Sequence, residues 1–227
     1  MKLIINLLEF FFARKIFYSL NINLLKLIIR FIGYNNHGSF KDSGEIYFLE
    51  KVCSEKPRLC IDIGANVGNY SKYLLENSSS KVFAFEPIPK SFKKLQNIKK
   101  NYSSRFFIFK FGIGEKKSTK TINYNNKNLQ WANFNSEVNQ INYLGKNNNK
   151  LKCSITTLDN FTENNKKLLN KKIDLIKIDT EGYEYEVLKG AKKTIQKFKP
   201  TYIQIEYNWH HLFKNVNLYY FSKYLKG

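Results

Sequence analysis

A parallel, doubly wound α/β sheet is the fold that this chain of 227 residues predicts. Three observations carry the expectation. Short apolar runs alternate with amphipathic stretches from Arg58 onward, the first run ends in a glycine-punctuated turn, and acidic residues recur at the ends of the runs. Strands alternating with helices pair in parallel, because each crossover helix returns the chain to the same edge of the sheet. Ligands of such sheets bind outside the carboxyl ends of the strands. With 43% hydrophobic and 16% aromatic residues the chain has enough apolar surface to offset its conformational entropy, so wholesale disorder is excluded. The length suits one domain with a short appendage.

The appendage comes first, as residues 1–40, with the domain expected over 41–227. Residues 1–33 are the most apolar part of the chain, but Asn6, Glu9, Arg14, Lys15, Asn21, Asn23, Lys26 and Arg30 interrupt every candidate span. A membrane-crossing helix needs about 20 nearly uninterrupted apolar residues, and a signal peptide needs a clean apolar stretch before its cleavage site. Neither is met. Ser19, Asn23, Lys26 and Arg30 recur at steps of four, three and four, one stripe of a helix, opposite Leu20, Leu24, Leu27, Ile28 and Phe31. Such helices either cap the domain core or lie on an anionic membrane. Residues 33–44 read as a linker.

The domain follows element by element. RLCIDIG (58–64) is strand-like and ends at a glycine, and YSKYLLENS (70–78) is helical. KVFAFEP (81–87) is a strand halted by prolines, and SFKKLQNIKKN (91–101) places Phe92, Leu95 and Ile98 on one helical face. RFFIFKFGIG (105–114) reads as a single third strand. Residues 123–150 are polar and of low complexity, an excursion that is either a variable surface loop or a substrate lid built on Trp131, Phe134 and Tyr143. LKCSITTLDNF (151–161) returns as a strand and a turn. IDLIKID (173–179) is a strand, Val187, Leu188, Ala191 and Ile195 share one helical face, and TYIQIEYN (201–208) is the last strand expected.

The 38 basic against 18 acidic residues leave a net charge of +20. Nearly all of the excess is scattered Lys, with Arg only at positions 14, 30, 58 and 105. Base and phosphate recognition favours the planar Arg fork, so nucleic acid is not the expected partner. Cys53, Cys60 and Cys153 form no CxxC or Cys/His pair, which argues against disulfides and zinc and for reduced thiols in the cytoplasm.

The chemistry concentrates at the strand ends. In Asp62-Ile-Gly64-Ala-Asn66-Val-Gly68 the glycines admit a ligand close to the backbone, and the next helix offers free amide donors. The spacing is not the GxGxxG of a dinucleotide binder. An acid two residues before the first glycine would repel a pyrophosphate but suits a cofactor bearing an ammonium and a sulfonium, which points to S-adenosylmethionine. Glu86 ends the second strand, where a carboxylate can accept both hydroxyls of a ribose. Asp179 and Glu181 end the IDLIKID strand, and Glu206 ends the following one, just before His210. In a parallel sheet these ends share an edge, so Asp62, Glu86, Asp179 and Glu206 should converge on one cleft.

CIDIGANVGNYS, FEP, TTLDNF and above all IDLIKIDTEGYEYEVLKGA resemble the FkbM-type S-adenosylmethionine-dependent methyltransferases over roughly residues 58–208. The resemblance implies the class I methyltransferase fold, a Rossmann-like three-layer sandwich, and methyl transfer to a hydroxyl of a saccharide or other secondary metabolite. It implies Asp62, Gly64, Asn66, Gly68 and Glu86 as cofactor contacts, and Asp179, Glu181 and Glu206 as walls of the cofactor and substrate cleft. It also implies a closing helix and two further strands, and NLYYFSKYLKG ends at Gly227 where that hairpin should begin, so the domain is expected to lack its last edge strands. His210, Glu181 and Glu206 are the candidates for a base that takes the acceptor's proton. His210 titrates nearest neutrality, though a histidine packed beside Trp209 is an equal reading. No metal triad is evident in the spacing, so no obligatory metal is expected. The alternatives are a nucleic-acid methyltransferase, which should show an NPPY-like pocket or a catalytic Pro-Cys, and a truncated cofactor-binding protein without turnover. A small-molecule or glycan substrate and peripheral contact with the inner face of a membrane through residues 1–33 complete the expectations.

Overall fold

Burial on both faces decides which apolar runs become strands. The computed structural model describes residues 2–31, 44–125, 132, 134, 149–165 and 172–226. β1 (Leu59–Ile63), β2 (Lys81–Phe85), β3 (Phe106–Phe109), β7 (Leu175–Ile178) and β8 (Tyr202–Ile205) form one sheet in the order β3-β2-β1-β7-β8, with every pairing parallel. Near-continuous apolar sequence is what a parallel sheet covered on both sides requires. The chain runs outward from β1 through β2 to β3, then returns to place β7 on the other side of β1. The β1/β7 boundary is therefore the topological switch point, where a crevice opens outside the strand ends.

Alternation along the strands sorts the core into two layers. Leu59, Ile61, Ile63, Phe83 and Phe85 join Leu158 and Phe161 of α6 (Leu158–Asn164) and Val187 and Leu188 of α7 (Glu184–Lys189). Phe161 meets the Phe85 ring edge-on at 4.8 Å, an arrangement that aromatic quadrupoles favour. The intervening residues Cys60, Asp62, Val82 and Ala84 lie on the other face, and Asp62 bonds there to Ser71 of α4 (Asn69–Asn77). α5 (Pro89–Asn101) starts with proline at its first turn, where the missing N–H costs nothing. Its Leu95 is buried.

The structure departs from the expected elements in three places. The single strand expected over 105–114 is two: after β3 the chain leaves the main sheet, and β4 (Gly112–Ile113) pairs parallel with β6 (Asn149–Thr156). A second sheet of order β4-β6-β5 forms because β5 (Ser118–Tyr124) pairs antiparallel with β6. The STKTINY of β5 has one polar, solvent-facing edge and little apolar signal, and its Thr, Ile and Tyr fit a half-exposed pleat. Third, the helix expected to carry Val187, Leu188, Ala191 and Ile195 on one face breaks at Gly190 into α7 and α8 (Lys192–Phe198). A Cβ on Gly190 would lie 1.9 Å from the Gly114 carbonyl oxygen, so the chain approaches there as bare backbone. Asp159 then caps α8, accepting from the Thr194 amide at 2.7 Å and the Lys193 amide at 3.1 Å. Of the three aromatic residues behind the substrate-lid reading, Trp131 and Tyr143 lie outside the described residues, as does nearly all of the expected linker, while Phe134 is described and packs on Tyr183.

The chain divides into residues 1–51 and 52–227. The first unit holds α1 (Lys2–Phe12), a 3-10 turn (Lys15–Phe17), α2 (Tyr18–Phe31) and most of α3 (Glu45–Ser54). No described side chain of α1 or α2 is buried. No described helix is long and apolar enough to cross a membrane. A further 3-10 turn (Trp209–Lys214) and α9 (Leu218–Lys226) follow β8, and Phe221 of α9 packs into the main core.

Gly190→Ala should lower stability by about 2–4 kcal/mol through overpacking against backbone that cannot move aside. Urea unfolding checks this, and an unchanged midpoint would show that the α7–α8 break tolerates a side chain.

Candidate active site

The loops after β1 and β7 meet at the switch point. Gly64 has φ +83°, and a Cβ there would lie 1.7 Å from the Asp179 carbonyl oxygen. Only glycine satisfies both the left-handed backbone and the approach. The amides of Gly64 and Ala65 donate to the Phe85 carbonyl at 3.0 and 3.1 Å, tying the same turn to β2. Asn66 follows at φ +48°, a conformation its short polar side chain tolerates. Its amide donates to Glu86 Oε2 at 2.8 Å, and its Oδ1 accepts from Ser91 at 3.1 Å. Gly68, at φ +88°, meets a different need: the space of its absent Cβ is taken by Leu95 and Ile98 of α5, 2.6 Å away.

Asp62 is fully buried, and its Oδ2 accepts from Ser71 Oγ at 2.6 Å. Its Oδ1 has no hydrogen-bond partner among the described residues. Burial raises its pKa, opposed by the Lys177 charge and the Ser71 bond. Glu86 is likewise buried, its Oε1 accepting from the Ile88 amide at 2.7 Å. Burial pushes Glu86 up to about 7 against those amide bonds, with the Asp62 and Asp179 charges adding to the rise.

Across the switch point, Lys177 projects from the third position of β7. Its Nζ lies 2.7 Å from Asp179 Oδ2 and 4.7 Å from the Tyr70 ring centroid, and Tyr70 donates to Gln204 of β8. This cation was not among the expected site residues, although a lysine inside the apolar IDLIKID run is a legible signal. Asp179, Glu181 and Glu206 each bring a carboxylate oxygen within 4.8 Å of the others. The fold thus builds a carboxylate trio that could hold a cation, a set that residue spacing did not show. Burial raises Asp179, but the Lys177 ammonium and a hydrogen bond from Glu206 outweigh it and hold Asp179 below its usual range. Glu206 and Glu181 are pushed upward, both first by desolvation and then by the Asp179 charge. Three carboxylates beside one ammonium titrate as a group, with Asp179 the first to ionise.

The TEG turn that carries Glu181 is clamped from below. Glu184, fully buried, accepts on one oxygen from the Thr180 amide at 2.7 Å, the Thr180 hydroxyl at 3.1 Å and the Gly182 amide at 3.2 Å. His211 Nε2 lies 2.8 Å from its other oxygen. The clamp holds Glu181 at φ +53°, a strained conformation of the kind found at functional sites. His210 is 4% exposed, with Nδ1 2.8 Å from Asn208 Oδ1 and 3.3 Å from Glu181 Oε2. Burial pushes its pKa down to about 4, with the Glu184 and Asp179 charges opposing. At neutral pH it is an uncharged ring beside Glu181, and Glu181 is the more exposed of the two.

A cleft of about 360 Å³ opens beside this turn, lined by Glu115, Lys116, Lys120, Phe134, Tyr183, Glu186 and Lys214. Lys214 and Lys120 stand 4.4 and 5.4 Å from the Tyr183 ring centroid, and the Phe134 ring packs 4.7 Å from it.

The Methyltransferase FkbM domain matches residues 62–225. The chain belongs to the FkbM methyltransferase family. The match covers the strand-end acids and runs through α9, beyond the stretch that carried the resemblance, and it places the chain in a methyltransferase family with a Rossmann-like fold. No curated protein matches this chain. Among solved structures, a crystal structure of PRMT6 is similar with a TM-score of 0.40 and 13% identity, over 73% of this chain and 42% of that one.

Lys177→Met should destabilise the FkbM domain by about 1–3 kcal/mol at pH 7, because it leaves the half-buried Asp179 carboxylate uncompensated. The native pair contributes stability above the ordinary carboxyl range, which is lost as the pH falls and Asp179 takes up a proton. In urea unfolding at pH 7 and at about pH 3, the difference between variant and native protein should therefore be smaller at the lower pH, because Asp179 titrates below the ordinary carboxylate value of about 4. An equal difference at both pH values would assign Lys177 to packing on Tyr70 alone.

Proposed function

We propose that this FkbM protein transfers a methyl group from S-adenosylmethionine to a hydroxyl of a saccharide or similar polar metabolite. The observation that carries the reading is the Asp62 carboxylate, buried at the switch point with one oxygen that has no hydrogen-bond partner among the described residues. An orphaned acceptor there is costly unless a ligand donor completes it, and the ammonium of the cofactor is such a donor. S-adenosylmethionine supplies an electrophilic methyl group when bound. Asp62 and the ionised Asp179 would face its positive charges, Glu86 would accept the ribose hydroxyls, and Gly64 and Asn66 would let the backbone close on it.

For the acceptor, Tyr183 and Phe134 offer flat apolar faces, while Lys120, Lys214, Glu115 and Glu186 offer polar anchors in the adjoining cleft. That mixture suits a polyol more than a nucleobase stack. Holding the acceptor oxygen in line supplies most of the acceleration. Glu181 is the base of choice: its raised pKa makes its ionised form a stronger base than an ordinary carboxylate, and His210 positions it from behind. Glu206, hydrogen-bonded to Asp179, shares the local proton. The Lys177 ammonium supplies the positive charge that a carboxylate trio would otherwise seek in a metal ion.

Calorimetric titration of S-adenosylmethionine is the direct test. Glu86→Gln should weaken binding about tenfold or more, the value of one charged hydrogen-bond pair. Native affinity should fall from pH 8 to pH 6 as Glu86, at about 7, takes up a proton and loses an acceptor position, and the variant should lack that dependence. Unchanged affinity in the variant would sink the cofactor site. With a labelled methyl group, transfer should reach saccharide acceptors, survive chelator treatment and bypass RNA. Loss on chelation with rescue by magnesium would instead assign a metal to the carboxylate trio.

A further inference from the structure

Most of the large apolar side chains that stand in solvent belong to α1, α2 and the turn between them. Leu3, Ile16 and Phe31 are 83%, 83% and 77% exposed, and Ile4, Leu7, Phe10 and Tyr18 are each above 60%. A contiguous apolar surface of this extent marks an interaction site. Its shape tells what covers it. At about 100° per residue, Lys2, Asn6 and Glu9 of α1 fall within a polar stripe only about 60° wide, and the rest of the circumference is apolar. In α2, Ser19, Asn23, Lys26 and Arg30 fall within an equally narrow stripe, and Asn21, off the stripe, donates from its side chain to the Phe12 carbonyl at 3.0 Å.

A protein groove covers one face of a helix. Two helices apolar around most of their circumference require a medium that surrounds them. Neither crosses a bilayer: 11 and 14 residues reach about 16 and 21 Å, against a hydrocarbon thickness of about 30 Å. The charges choose the lipid, since residues 2–31 carry Lys2, Arg14, Lys15, Lys26 and Arg30 against the single acid Glu9. Arg14 and Lys15 sit at the bend between the helices, and Lys15 and Lys26 are exposed.

We propose that α1 and α2 form an interfacial anchor, lying with their apolar circumference in the acyl boundary of an anionic bilayer and their narrow polar stripes among the headgroups. The anchor tethers the catalytic domain to a lipid surface. The inference rests on the exposed surface of residues 2–31 and stands independently of the methyl donor.

The test is flotation of the full chain with phosphatidylcholine vesicles, with and without about 30% phosphatidylglycerol. The native chain should float with the anionic vesicles about tenfold more than with the neutral ones. The quadruple variant Leu7→Ser, Phe11→Ser, Leu24→Ser and Ile28→Ser keeps the net charge and should lose flotation about tenfold or more. If it floats as well as the native chain, the basic surface elsewhere carries the binding and the anchor is refuted. A second variant, Leu7→Trp, keeps the apolar surface, and its emission should shift to the blue only when anionic vesicles are added. Emission already blue-shifted without lipid, in a chain that sediments as a dimer, would mean that a second copy covers the helices and would overturn the proposal.

Discussion

The site depends on one contact between two stretches of backbone. Gly64 lies so close to the Asp179 carbonyl that no side chain fits between them, and the Asp179 amide donates to the Ile63 carbonyl at 3.0 Å. Those two facts join the turn after β1 to the turn after β7 at the place where the sheet changes direction. Every other feature of the cleft is referred to that junction. Asn66 is positioned by the turn that Gly64 opens and held by Glu86, while Asp179 is positioned by β7 and held by Lys177. A larger residue at 64 would force the turns apart and dissolve the arrangement before any side chain chemistry was altered.

Once the turns meet, electrostatics follows from crowding. Asp62, Glu86, Asp179, Glu181 and Glu206 come into one region with one buried ammonium among the described residues, Lys177. The protein resolves the repulsion by separating the acids in pKa. Asp179 takes the ammonium and stays ionised, while burial and the Asp179 charge push Glu181 and Glu206 upward, and burial takes Glu86 to about 7. A cleft so arranged presents fixed negative charge beside groups that exchange protons.

The main sheet was legible because strands buried on both faces must be apolar throughout, and because acids at their ends interrupt that run abruptly. Leu59 to Ile63 and Leu175 to Ile178 could hardly be read otherwise. β5 was not legible, since a strand with one exposed edge and Ser, Thr and Lys along it looks like loop until its partner β6 is known. The break at Gly190 was hidden for a related reason: Val187, Leu188 and Ala191 do share a buried layer, and the cause of the break is the Gly114 backbone, distant in sequence. The acids of the site were named from strand ends, but their counter-ion Lys177 and the clamp of Glu184 and His211 depend on depth of burial, which spacing does not reveal. His210 was visible as a nearby histidine, and its enclosure behind Glu181 was not.

The geometry at the junction is most directly tested by a crystal structure of the chain grown with S-adenosylhomocysteine. The expected result is a nucleoside lying over residues 64–66 with its ribose hydroxyls on the Glu86 carboxylate and its ammonium within hydrogen-bond distance of Asp62 Oδ1. A nucleoside bound away from the β1/β7 switch point, or bound there with Glu86 turned away from the ribose, would contradict it.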